Sequence, residues 1–209
     1  GAELIVTHHP LFFRTARNLT DETGVGRTAL LLAANGISAI NAHTNLDCAP
    51  DGVNDVLART LGLENIRIIT PSGVTEEGRE WGLLRMGTVP EQSLDAFLST
   101  VKTALHCPGL RYAQGGKSVH RVAVGGGACG EYIPQALAQG CDTFVTSDLR
   151  YNDFLDTQGL NLIDAGHFPT EDVVCAEVVR RLQKAFPDIR VSKSAVHHDA
   201  VQYYMTEGE

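Results

Sequence analysis

The sequence predicts an α/β protein made of two similar halves, and three observations carry that expectation. Short, almost wholly apolar strands alternate with helical stretches, the pattern of a parallel sheet covered on both faces. Polar residues able to bind ligands follow several of those strands directly. The chain also echoes itself: Glu3-Leu-Ile-Val-Thr-His-His9 aligns with Asp142-Thr-Phe-Val-Thr-Ser-Asp148. A second echo pairs Gly36-Ile-Ser-Ala-Ile-Asn-Ala-His43 with Gly159-Leu-Asn-Leu-Ile-Asp-Ala-Gly-His167, allowing one inserted residue. Repetition of this kind points to two related α/β units.

In chain order, Leu4 to Val6 and Ala39 to Asn41 read as short buried strands, joined by a helix that includes Thr28 to Asn35 and stops at Gly36. Val53 to Leu61 reads as a helix, Arg67 to Thr70 and Trp81 to Gly87 as strands, and Ser93 to Leu105 as an amphipathic helix. Val119 to Val124 is a strand leading into Gly125-Gly-Gly-Ala-Cys-Gly130 and a helix from Tyr132 to Gln139. Ile189 to Val191 is expected to be a last strand, followed by His197-His198-Asp199.

Composition narrows the function classes. With 209 residues and 43% hydrophobic content, the chain can bury a real core. A net charge of -8 argues against nucleic acid and anionic membrane as partners and favours a small molecule or a protein. The five cysteines, Cys48, Cys107, Cys129, Cys141 and Cys175, include no C-x-x-C pair and read as free thiols of a reducing compartment, the cytoplasm. No apolar run approaches the roughly 18 residues of a membrane span. The chain opens on an apolar strand without an initiator Met, so it reads as a fragment or processed form whose N-terminal segment is missing.

The chemistry concentrates in three segments. His8 and His9 follow a strand and precede Pro10, which stops further pairing. They therefore lie at a carboxyl strand end, where open α/β sheets place their ligands. Asn41-Ala-His-Thr-Asn-Leu-Asp47 follows another strand; Asp47 offers hard oxygen ligation, and His43 is a candidate ligand, proton donor or orienting group. In Gly166-His-Phe-Pro-Thr-Glu171, residues His167 and Glu171 are four apart and converge if a helix starts near Pro169. Three histidines and two carboxylates exceed a closed structural zinc site and suit two divalent ions, zinc, manganese, iron or nickel, with open positions. Asp148, the echo of His9, is expected to support the site without ligating. The glycine run at Gly125 is either a phosphate cradle or a tight strand-to-helix turn.

The strings Leu4-Ile-Val-Thr-His-His-Pro-Leu11, His43-Thr-Asn-Leu-Asp47, Gly52-Val-Asn-Asp55, Thr146-Ser-Asp148 and Asn161-Leu-Ile-Asp-Ala-Gly-His167 with Glu171 resemble the Nif-three-like family, named for NGG-interacting factor three. The likeness runs from the first residue to about residue 200. It implies two α/β domains with metals in the cleft between them, a toroidal homohexamer, and His8, His9, Asp47, His167 and Glu171 as ligands, Glu171 bridging. On this basis residues 1–70 form a first domain and 71–150 a second, with 151–209 returning to complete the cleft and the first domain. Two departures stand out: Asn152 occupies a position where many relatives carry His, and Ser147 one where Gly is usual. Family members commonly carry the name GTP cyclohydrolase 1 type 2 homologue.

The function expected from these residues is metal-dependent hydrolysis of a nucleotide or another phosphate-containing small molecule, with His43 as proton shuttle. The alternative is a hexameric metal-binding scaffold or metal-delivery protein without catalysis. Turnover by the metal-loaded protein separates the two.

Overall fold

A computed structural model describes residues 1–204. The chain divides into two compact units, Gly1–Asp47 and a larger one that begins at Cys48.

The first unit runs β1 (Leu4–Thr7), α1 (Gly24–Ala34), β2 (Ser38–Asn41) and all but the last residue of α2 (Thr44–Cys48). The Thr23 hydroxyl accepts a hydrogen bond from Gly26 N and caps α1. Gly36 at φ 63° then turns the chain into β2. The strands pair in parallel, Leu4 opposite Ser38 and Thr7 opposite Asn41. The expected strands are present, but they are not buried: every residue of both is exposed. Two strands accompanied by one eleven-residue helix have too few neighbours to cover both faces.

The larger unit is built on a six-stranded sheet in the order β3 (Glu64–Ile68), β6 (Arg85–Gln92), β8 (Val119–Val124), β9 (Thr143–Thr146), β10 (Asn161–Asp164) and β7 (Arg111–Ala113). A short hairpin, β4 (Gly73–Val74) with β5 (Glu80–Trp81), stands apart. Only β8, β9 and β10 run parallel; the β3–β6, β6–β8 and β7–β10 pairs are antiparallel. The sheet is thus mixed rather than purely parallel. The helices are α3 (Val53–Thr60), α4 (Leu94–Ala104), α5 (Ile133–Ala138), α6 (Tyr151–Leu155), α7 (His167–Asp172) and α8 (Val174–Ala185).

Period-two alternation through the central strands divides the core. Val122, Val124, Val145 and Ile163 pack with Leu57, Phe97 and Val101, while Ala123, Phe144 and Leu162 pack with Met86, Ile133 and Ala136. The expected cover on both faces holds here. Trp81 to Gly87 is not one strand: β5 ends at Trp81 and β6 begins at Arg85, whose buried guanidinium turns back to donate to Gly82 O at 2.6 Å. Ile189 to Val191 forms no strand; it follows Pro187, and Ile189 is exposed.

The internal echo is reproduced in the strand registers. Leu4 lies opposite Ser38 as its counterpart Thr143 lies opposite Asn161, and Thr7 opposite Asn41 as Thr146 lies opposite Asp164. The flanking hydrogen bonds match as well. Ser38 N donates to Glu3 O at 2.9 Å and Asn161 N to Asp142 O at 2.8 Å; Ala42 N donates to Thr7 O and Ala165 N to Thr146 O, both at 2.9 Å.

Burial pushes the Cys107 and Cys141 thiols up to about 11. Among the described residues no helix is long and apolar enough to cross a membrane.

Candidate metal-binding site

Parallel pairing puts the carboxyl ends of β1 and β2 side by side, and the ligand candidates of the first unit leave from there. Asn41 Nδ2 donates to Thr7 Oγ1, and Thr7 Oγ1 donates to His9 O at 2.9 Å, which fixes the main chain beneath the histidine pair. The His8, His9 and His43 rings surround one small volume, with centroids 5.1 to 5.5 Å apart. One nitrogen from each lies within 4.8 Å of the other two. Of the roles open to His43, ligand, proton donor or orienting group, this clustering is compatible with the first as well as the second. Asp47, buried in α2, directs Oδ1 to His8 Nε2 at 3.4 Å.

The tautomer of His8 follows from its surroundings. Nδ1 is 2.7 Å from Ala42 O, a group that only accepts, so Nδ1 carries a hydrogen. In the neutral ring Nε2 then presents its lone pair toward a carboxylate oxygen. Two electron-pair donors in that arrangement are stabilised by a shared positive charge, a proton or a metal ion.

The second unit repeats the device with different partners. After β9 the backbone enters the left-handed region at Asp148, φ 54°, and after β10 Gly166 at φ 85° starts α7. His167 Nδ1 lies 2.5 Å from Asp148 Oδ2, and its Nε2 lies 3.1 Å from Glu171 Oε1. Hydrogen bonding to Glu171, opposed by burial and reinforced by Asp148, pushes the His167 imidazole up to about 9. A carboxylate on Nδ1 with Nε2 directed at a potential metal position is the usual way a ligating histidine is oriented. Asp148, the echo of His9, is thus the residue that contacts His167 Nδ1.

Further residues build the turn and helix start around this pair. Gly127, at φ 65°, sits so close to the Glu171 carboxylate that a Cβ there would overlap Oε1. Its N–H donates to Thr170 Oγ1 at 3.1 Å, and its carbonyl accepts from Thr146 Oγ1 at 3.0 Å. Asn54, fully buried at the start of α3, accepts from Gly126 N at 2.7 Å and donates to Leu83 O at 2.7 Å. The neighbouring Asp55 binds the Arg85 guanidinium through both carboxylate oxygens, at 2.6 and 3.1 Å.

The glycine run resolves to the tight turn rather than the phosphate cradle. The N–H groups of Gly125, Gly126, Gly127 and Cys129 all donate within the protein, to Val145 O, Asn54 Oδ1, Thr170 Oγ1 and Thr146 Oγ1. Of the two departures, Asn152 is exposed on α6, whereas Ser147 is fully buried and its hydroxyl has no hydrogen-bond partner among the described residues.

Fold and residues together define an α/β protein in which each unit presents histidine and carboxylate from its strand ends. The chain belongs to the Duf34/NIF3 (NGG1p interacting factor 3) family, whose model matches residues 1–200. A relative from Nostoc sp., named GTP cyclohydrolase 1 type 2 homolog, is 35% identical over 188 residues, 87% of this chain and 70% of its own length. A Staphylococcus aureus hypothetical protein of known structure superposes with TM-score 0.88 at 30% identity, over 97% of this chain and 80% of that one. A Bacillus cereus protein related to NIF3 superposes with TM-score 0.89 over 97% of this chain and 83% of that one; at 24% identity it supports the fold alone.

Proposed function

We propose that this protein is a metal-dependent hydrolase with a dinuclear centre ligated by His8, His9, Asp47, His167 and Glu171, acting on a nucleotide or another phosphate-containing small molecule. The observation that carries the reading is the shared orientation of His8 and His167. In each, Nδ1 is held by a protein oxygen while Nε2 faces a carboxylate, Asp47 or Glu171. Imidazole nitrogen with carboxylate oxygen suits zinc, iron, manganese or nickel. Divalent metal in such a site polarises a bound substrate and brings the pKa of water toward neutrality.

The chain's own groups do the rest. Asp148 holds the tautomer and orientation of His167. His43, half-buried beside His8 and His9, is placed to take up or release a proton. The names of the curated relatives, such as the Nostoc protein, favour a purine nucleotide, GTP ring opening being the specific reaction they suggest. Assembly as a homohexamer and a cytoplasmic location complete the proposal, the latter in keeping with five widely spread cysteines that include no C-x-x-C pair.

Metal analysis combined with turnover tests this. Metal-loaded protein is expected to hydrolyse at least one member of a panel of GTP, other nucleotides and phosphoesters. Asp47→Ala should lose both bound metal and that activity. Full activity in metal-free Asp47→Ala would end the hydrolase reading, and metal binding without any turnover would favour the scaffold or delivery role.

A further inference from the structure

A second group of metal-ligating side chains lies in the larger unit and uses none of the ligands above. Asp172 closes α7, Cys175 occupies the first turn of α8 three residues on, and His197 comes from the chain that returns after α8. One ligand atom from each of the three lies within 4.8 Å of the other two. His197 Nε2 is 2.9 Å from Asp172 Oδ1, and the His197 ring packs on Phe168 with centroids 4.8 Å apart. Lys193 Nζ sits 2.6 Å from both Asp172 oxygens.

We propose that Asp172, Cys175 and His197 form a mononuclear site for zinc or a similar borderline d-block cation, separate from the histidine–carboxylate ligands already described. The donor set is what selects the ion. Thiolate with imidazole favours zinc over magnesium, calcium or manganese, and one carboxylate completes a three-residue set that leaves a fourth tetrahedral position for water. Zinc bonds of about 2.0 Å to nitrogen or oxygen and 2.3 Å to sulfur put ligand atoms roughly 3.3 to 3.7 Å apart. His197 Nε2 and Asp172 Oδ1 are already closer than that, and all three ligand atoms lie within 4.8 Å of one another, so side-chain rotation can set the spacing, His197 standing on an exposed segment without regular structure.

A cation of the chain itself competes for this position. Lys193 sets a full positive charge against both oxygens of Asp172, and His197 reaches the same carboxylate. A cation is therefore already stabilised at this point. On metal binding the Lys193 ammonium leaves Asp172 for solvent, the Cys175 thiol gives its proton to solvent, and thiolate, imidazole and carboxylate bind the ion. The ion would tie the segment that carries His197 to the start of α8.

Cobalt(II) provides the test, because a thiolate ligand produces a sulfur-to-cobalt charge-transfer band in the near ultraviolet and the proposed dinuclear ligands include no sulfur. Titration of the reduced, full-length protein with cobalt should give that band together with tetrahedral visible bands, all displaced by zinc. Cys175→Ser should abolish the charge-transfer band while far-ultraviolet circular dichroism confirms the fold. His197→Gln should weaken cobalt binding at least tenfold, and Lys193→Met should strengthen it. Asp47→Ala should leave the band intact, so failure of the dinuclear reading and failure of this one give different results. Absence of the band in the wild-type protein, or its persistence in Cys175→Ser, would overturn the proposal.

Discussion

Single side chains set the chemistry, and His167 states it most directly. Both ring nitrogens face carboxylates, which favours the imidazolium and raises its pKa from the ordinary value of about 6.5 to about 9. The folded state therefore holds this proton more tightly than the unfolded chain. The resulting stabilisation is fully present below about pH 6.5 and is lost as the pH rises through about 9. In chelator-treated protein the His167 ring should titrate near that upper value by NMR, and Asp148→Asn should lower it. An ordinary titration of His167 in the metal-free protein would remove the two-carboxylate account. His8 and His9 stood out in the sequence because they directly follow an apolar strand, and Asp47, His167 and Glu171 because they follow other strands within a few residues. Asn54 and Thr170 were not legible in their roles. Each acts on the glycine turn across 72 and 43 residues of sequence, and a hydrogen bond at such separation leaves no local periodicity.

At the scale of elements, the turn after β8 is matched to the first turns of α7. Gly127 combines a positive φ with direct packing against the Glu171 carboxylate, so it requires glycine for two independent reasons. Gly127→Ala is expected to destabilise the fold by about 1 to 3 kcal/mol and to reduce metal affinity at least tenfold, as read by chemical denaturation and competition with a chelator. Unchanged affinity would mean that Glu171 does not depend on this turn. The strand at Val119–Val124 and the helices around Val53 and Leu94 followed from their patterns because packing and local preference agree there. Trp81 to Gly87 was misread as one strand because its apolar content hides a break: Arg85 folds back to Asp55 and to Gly82 O, a tertiary arrangement. Ile189 to Val191 has strand-forming residues but pairs with no strand among the described residues, and isolated propensity does not make a strand.

For the whole molecule, two units share one strand-pair geometry yet differ in burial. β9 and β10 are buried at every position, whereas β1 and β2, with matching register and flanking hydrogen bonds, are exposed at every position. Amides of β1 and β2 should accordingly exchange with deuterium orders of magnitude faster than those of β9 and β10. Equal protection would show that the strands of the first unit are covered in solution. By itself the sequence determined the α/β class, the internal repeat and the ligand types at the strand ends, because these depend on side-chain chemistry and on periods of two and 3.6 residues that local windows contain. Only the tertiary structure decided that the larger sheet is mixed, that the glycine turn keeps its N–H groups for Asn54, Thr146, Thr170 and Val145, and that Asp172, Cys175 and His197 converge. Strand order and long-range hydrogen bonds arise when distant segments compete for the same backbone partners, and that competition is settled by packing the whole chain at once.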